Sequence, residues 1–244
     1  MKYLFIIVCQ FLLTQISAQT NHVITANILE NVYRIETDTL SGTCFLTENN
    51  GKEYLITARH LFKTGLKNKD STKIKLSFRN TVKDYNAEFK ISSNKNIDIA
   101  VLSISESLKK LKPLPSSKKI IVGQDMFFLG FPSFNKSSFF TYDKELGILP
   151  LVKKAIFSGG PVLDGYNLLF LDGHNNPGFS GGPVISYDYS LQSAAIVGII
   201  SGYYPEERQA KNRDEIKLDA FTFENSGIIK CFPFKLVSDI ITSN

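Results

Sequence analysis

Three side chains in this chain could cooperate in acyl transfer. Ser180 lies in NNPGFSGGPV, residues 175 to 184, with Gly178 before it and Gly181 and Gly182 after it. Such a turn can expose a hydroxyl nucleophile and aim backbone N–H groups at a developing oxyanion. A nucleophilic serine needs a base, and imidazole accepts a proton near neutral pH. The chain has only three histidines, His22, His60 and His174. His60 ends the apolar run YLITARH, a rigid place from which to present a ring. His22 falls in the first residues after a removable leader, and His174 lies six residues before Ser180. Asp98, in NIDIAVL, is flanked by apolar residues. A carboxylate in such a setting needs a hydrogen-bond partner, and the His60 imidazole would serve.

These residues must be carried by short strands. Runs at 30–37, 42–48, 52–58, 73–78, 85–91 and 97–104 have strand composition, and Asn49-Asn50-Gly51 signals a hairpin between the second and third. A lysine-, serine- and proline-bearing stretch at 105–121 reads as a linker. Six more runs follow at 124–132, 147–157, 167–173, 182–186, 194–203 and 227–232. Segment 204–226 is expected to be a surface loop, and the near-helical apolar spacing of 234–241 predicts a short closing helix. The pattern predicts an all-β protein of two antiparallel six-stranded β-barrels with a short C-terminal helix. The expected organisation is a leader at 1–18, an N-terminal segment at 19–29, a first barrel at 30–104, the linker at 105–121, and the second barrel with its helix at 122–244.

The leader expectation rests on Lys2 followed by an apolar run from Tyr3 to Leu13 and the small residues Ser17 and Ala18. That run is shorter than the roughly 20 residues of a spanning helix, so a cleaved signal peptide is expected, with a secreted or periplasmic product and no stable membrane insertion. The net charge of +5 is modest for 244 residues, and lysines at 63–75 and 109–119 lack regular aromatic interleaving, so no nucleic-acid partner is expected. No metal-binding HExxH occurs, and neither a metal nor a cofactor is expected. Cys9 lies in the leader. Cys44 and Cys231 remain, and two separate buried thiols are preferred over a bridge.

Chain order separates two readings of GFSGG. It fits the G-x-S-x-G elbow of α/β hydrolases, but that arrangement needs a histidine after the serine, and none follows Ser180. The order His60, Asp98, Ser180 is the other one. LITARH resembles the histidine motif of the trypsin-like (chymotrypsin-fold) serine protease family, NIDIAVL its aspartate motif and NPGFSGGPV its serine motif. GTCFL and VGIISGY resemble neighbouring strands of that family. The compact spacings resemble its short bacterial-type branch.

This resemblance implies a serine endopeptidase acting on a peptide or protein substrate. Ser180 would be the nucleophile, His60 the general base and then acid, and Asp98 the group that fixes the tautomer. The N–H groups of Gly178 and Ser180 would form the oxyanion hole. His174 would sit at the base of the primary substrate pocket, with Ser201, Gly202 and Tyr203 along its wall. A histidine there implies cleavage after Glu in preference to Arg. The chain departs from digestive members at Phe179, where they have an aspartate that pairs with a new N-terminus, and at Arg59 and Leu61. A catalytically silent peptide- or protein-binding module of the same fold is the alternative.

Overall fold

The computed structural model describes residues 23–65, 67–108, 115–117, 119–133, 147–188, 193–213 and 215–243. The expected leader and His22 lie outside these residues. Six strands form a first closed barrel: β1 (Val32–Glu36), β2 (Ser41–Asn49), β3 (Lys52–Thr57), β4 (Ser71–Phe78), β5 (Thr81–Ile91) and β6 (Ala100–Ile104), in the order β1-β2-β3-β6-β5-β4. β4 closes on β1 through pairs such as Ile35 with Leu76. The β2–β3 hairpin turns through Asn50 and Gly51, both at positive φ (52° and 76°), as the sequence signal requires.

A second closed barrel contains β7 (Asp125–Gly130), β8 (Leu151–Gly159), β11 (Leu169–Asp172), β12 (Pro183–Asp188), β13 (Ser193–Lys211) and β14 (Lys217–Pro233), in the order β11-β14-β13-β12-β7-β8. A small hairpin of β9 (Val162–Leu163) and β10 (Tyr166–Asn167) precedes β11. The helices are α1 (Ala26–Glu30) and α2 (Lys235–Thr242). The two-barrel, all-β expectation therefore matches the architecture. Among the described residues, no helix is long and apolar enough to cross a membrane.

Small barrels are filled by their own inward side chains. On β5 the alternate residues Ala87, Phe89 and Ile91 are buried, and they join Ile35, Leu46, Leu76 and Leu102 inside the first barrel. Met126, Phe128, Phe179, Val184, Ile200 and Ile229 fill the second. A third cluster, with Phe45, Ile56, Ile99, Leu129, Phe131 and Ile199, lies between the barrels and receives α2 through Leu236, Val237, Ile240 and Ile241. Lys90 of the first barrel donates to the Ile241 carbonyl at 3.1 Å, so the closing helix bridges both halves.

One expectation is corrected. Segment 204–226 is largely a two-stranded arm made of the far ends of β13 and β14, with pairs such as Glu207–Phe223 and Gln209–Phe221. Backbone pairing satisfies these residues although their side chains are mostly exposed. One face carries Phe221 and Phe223, the other Arg208 with Glu206 and Glu224. The charge content that suggested a loop marks instead the solvated face of a ribbon. β6 also begins later than expected, at Ala100, which leaves Asp98 on the segment leading into the strand.

Candidate active site

β3 delivers its chain into a short 3₁₀ turn, Arg59–Leu61, that carries His60. Asp98 reaches this turn from the approach to β6, and the Arg59 N–H donates to the Asp98 carbonyl at 3.4 Å. The Asp98 carboxylate accepts the His60 backbone N–H at 2.8 Å through Oδ1. Its Oδ2 lies 2.7 Å from His60 Nδ1 and accepts the Ser201 hydroxyl at 2.6 Å. An ionised carboxylate can only accept, so the proton of a neutral His60 ring belongs on Nδ1, leaving Nε2 with a free lone pair. Asp98 is the more buried partner, with its side chain 20% exposed against 43% for His60.

Ser180 comes from the second barrel. Its hydroxyl donates to the Ser201 carbonyl at 3.2 Å and makes no hydrogen bond with His60. Both residues nonetheless line one open cleft of about 840 Å³, together with Arg34, Leu40, Ser133 and Gly178.

The loop before and after Ser180 is held by its carbonyls. Pro177 accepts from the Ser133 N–H (2.8 Å), Phe179 from the Gly182 N–H (2.8 Å) and Ser180 from the Thr43 N–H (2.9 Å). The Gly178 carbonyl accepts the Thr43 hydroxyl at 2.7 Å. In a trans peptide the C=O and N–H point opposite ways. The Gly178 and Ser180 N–H groups therefore face away from these anchors. Between Pro177 and Gly182 they are the two backbone donors that meet no acceptor among the described residues. Gly178 has φ +99°, and a Cβ there would lie 2.2 Å from the Phe131 carbonyl, so only glycine fits.

Phe179 anchors the loop through the core of the second barrel. It is fully buried and packs edge-on against Phe128, with ring centroids 5.4 Å apart. Lys153 lies over both rings and donates to the His174 carbonyl and to Asn176 Oδ1. Partial burial lowers its pKa from the ordinary lysine value. His174 itself is exposed and does not line the cleft that holds His60 and Ser180. Ser201 turns its hydroxyl toward Asp98, while Gly202 and Tyr203 pair with Lys230 and Ile229 on β14. On the other side of the His60–Asp98 pair, a cleft of about 570 Å³ has Arg59, Lys63, Lys67 and Lys95 among its lining residues over an apolar floor of Phe62, Phe89 and Ile91.

Residues 42–199 match the family model of the trypsin-like peptidase domain. The chain belongs to the trypsin-like peptidase family. Solved structures agree on the trypsin-like fold. The HtrA-type protease AlgW with tripeptide superposes with a TM-score of 0.58 at 20% identity, over 88% of this chain and 60% of that one. An inactive mutant form of Rv3671c from M. tuberculosis H37Rv gives 0.54 at 17%, over 91% and 89% of the two chains. The active form of the M. tuberculosis Rv3671c protease gives 0.56 at 17%, over 91% and 83%. The chain thus spans about 60% of the HtrA-type protease's length. A comparison with curated protein sequences finds no match. Thr43, Ser133 and Lys153, which hold the Ser180 loop, sit in no local motif that distinguishes them from ordinary strand and loop residues.

Proposed function

We propose that this trypsin-like peptidase is an exported serine endopeptidase working through Ser180, His60 and Asp98. The observation that carries the reading is the shared cleft, where the Asp98-held imidazole and Ser180 meet two unpaired N–H groups. Ser180 Oγ attacks the scissile carbonyl carbon and passes its proton to His60 Nε2. The carbonyl oxygen takes the negative charge and is received by the Gly178 and Ser180 N–H groups. Each such donor typically contributes about 2.7–4 kcal/mol to the transition state. His60 returns the proton to the leaving amine as the C–N bond breaks. Water then repeats the sequence on the acyl-enzyme, and Asp98 holds the imidazolium throughout.

The substrate pocket assignment, His174 at the base with Ser201, Gly202 and Tyr203 along the wall, rests on the family resemblance alone, since His174 is exposed outside the cleft that His60 and Ser180 line. Cleavage after Glu should exceed cleavage after Arg, and a positional-scanning peptide library with the reverse order would remove that part. Export follows from the leader at 1–18, and sequencing the N-terminus of the mature protein tests it.

A second reading keeps the fold without catalysis, as a binding module for peptides. The orientation of the Ser180 hydroxyl toward Ser201 instead of His60 favours it. A fluorophosphonate probe separates the two. The endopeptidase is labelled at neutral pH, and labelling vanishes in Ser180→Ala; a folded wild-type protein that resists the probe is a binding module.

A further inference from the structure

Thr43 belongs to β2 in the first barrel, yet its hydrogen bonds converge on the loop around Ser180 in the second. It is fully buried. Its hydroxyl donates to the Gly178 carbonyl at 2.7 Å and accepts the Phe131 N–H at 3.0 Å. Its own N–H donates to the Ser180 carbonyl at 2.9 Å. Its carbonyl accepts the Thr57 hydroxyl at 2.7 Å. Every polar atom of Thr43 is thereby engaged, and two of its partners are the carbonyls of Gly178 and Ser180.

The position needs such a brace. Gly178 must be glycine because the Phe131 carbonyl leaves no room for a Cβ. A glycine is also the residue whose backbone turns most freely. Nothing in its own side chain fixes the peptide planes on which the flanking N–H groups ride. Fixation must come from outside. The Thr43 hydroxyl locks the plane after Gly178. Through Phe131 it also ties in the 131–133 segment, whose Ser133 N–H locks the plane before Gly178. We propose that the Thr43 hydroxyl is a positioning residue for the oxyanion loop, setting the direction of the Gly178 N–H from the opposite barrel. The inference rests on the peptidase reading above.

The test compares Thr43→Val, which keeps shape and removes the hydroxyl, with Thr43→Ser, which keeps the hydroxyl. It uses the full chain and a peptide substrate that the wild type cleaves. Thr43→Val should lower kcat by roughly 10- to 100-fold with KM within about threefold, the signature of a contact felt in the transition state. Binding of a peptide aldehyde, whose adduct with Ser180 is tetrahedral, should weaken by a similar factor. Thr43→Ser should recover kcat to within about threefold of wild type. A folded Thr43→Val protein with unchanged kcat and aldehyde affinity overturns the proposal, as does a Thr43→Ser protein that loses as much as the valine variant. Should Thr43→Val fail to fold, Thr43→Cys supplies a weaker donor and should give an intermediate kcat; full kcat there also overturns it. A wild type that resists the fluorophosphonate probe overturns the peptidase reading and this inference together. A labelled wild type with an indifferent Thr43 overturns the inference alone.

Discussion

Ser201 contacts both ends of the proposed proton path: its carbonyl accepts the Ser180 hydroxyl at 3.2 Å, and its own hydroxyl donates to Asp98 at 2.6 Å. In the proposed mechanism Ser180 must swing its hydroxyl from Ser201 to His60, a side-chain rotation that is fast on the scale of turnover. The Ser201 hydroxyl meanwhile supplies one of three donors to the Asp98 carboxylate. A hydrogen bond to a charged group is worth about 1.5–3 kcal/mol. Ser201→Ala should thus lower kcat about tenfold or more and also lower thermal stability, since the same bond is lost from the resting fold. Steady-state kinetics beside a melting curve checks this, and an unaltered kcat would show the hydroxyl to be idle.

Phe179 ties the loop that carries Ser180 to the second barrel's core. Replacing it with Asp, the residue of digestive relatives, puts a carboxylate among Phe128, Gly130 and Met126 with no new N-terminus to meet it. Burial of an unpaired charge costs several kcal/mol. Phe179→Asp should lower the melting temperature steeply. Phe179→Leu, which preserves burial, should retain most stability while loosening the loop, seen as a reduced rate of fluorophosphonate labelling.

Alkaline pH should destabilise the protein. Burial raises the Cys44 and Cys231 thiols above the ordinary 9.0, and burial, then nearby Cys44 and Tyr85, raises Tyr33. Above pH 9 the unfolded chain releases thiol protons that the folded chain keeps, so the folded state holds more protons and stability falls as pH rises. Lys153 acts oppositely, since its lowered value makes the folded state the weaker proton binder below the ordinary lysine pKa of 10.5. Two fully buried thiols outweigh one partly buried amine. Urea unfolding between about pH 7 and about pH 10 should show the decline, and Cys44→Ala with Cys231→Ala should flatten it.

The cations beside His60 carry a further expectation. Lys63, Lys67 and Lys95 are exposed at the cleft that His60 and Asp98 also line, and Lys63 makes a long 3.9 Å contact to Asp38. Acidic peptides should be cleaved faster than their amide counterparts, and this advantage should shrink in high salt. Lys63→Glu combined with Lys67→Glu should raise KM for the acidic peptides and leave the neutral ones unaffected. Equal effects on both sets would show that these lysines are simply solvated.

The strand runs and the order His60, Asp98, Ser180 were legible because both are written locally, in alternation and in short motifs. The Asn50-Gly51 turn was legible for the same reason, since its positive φ values demand those residue types. The arm at 204–226 was not. Its pairing depends on register between two distant stretches, and Arg208 and Glu224 are an ion pair only once Glu207 meets Phe223. Thr43 was hidden for a deeper reason. Its loop partners Gly178 and Ser180 lie more than a hundred residues away, and nothing around it in GTCFL sets its hydroxyl apart.

Cys44 sits inside one barrel and Cys231 inside the other, and both are free. The two halves are consequently held together by packing and hydrogen bonds, with no covalent clasp joining these two thiols. Dithiothreitol should therefore leave the unfolding midpoint where it was, and the molecule's integrity should not depend on the redox state of its surroundings.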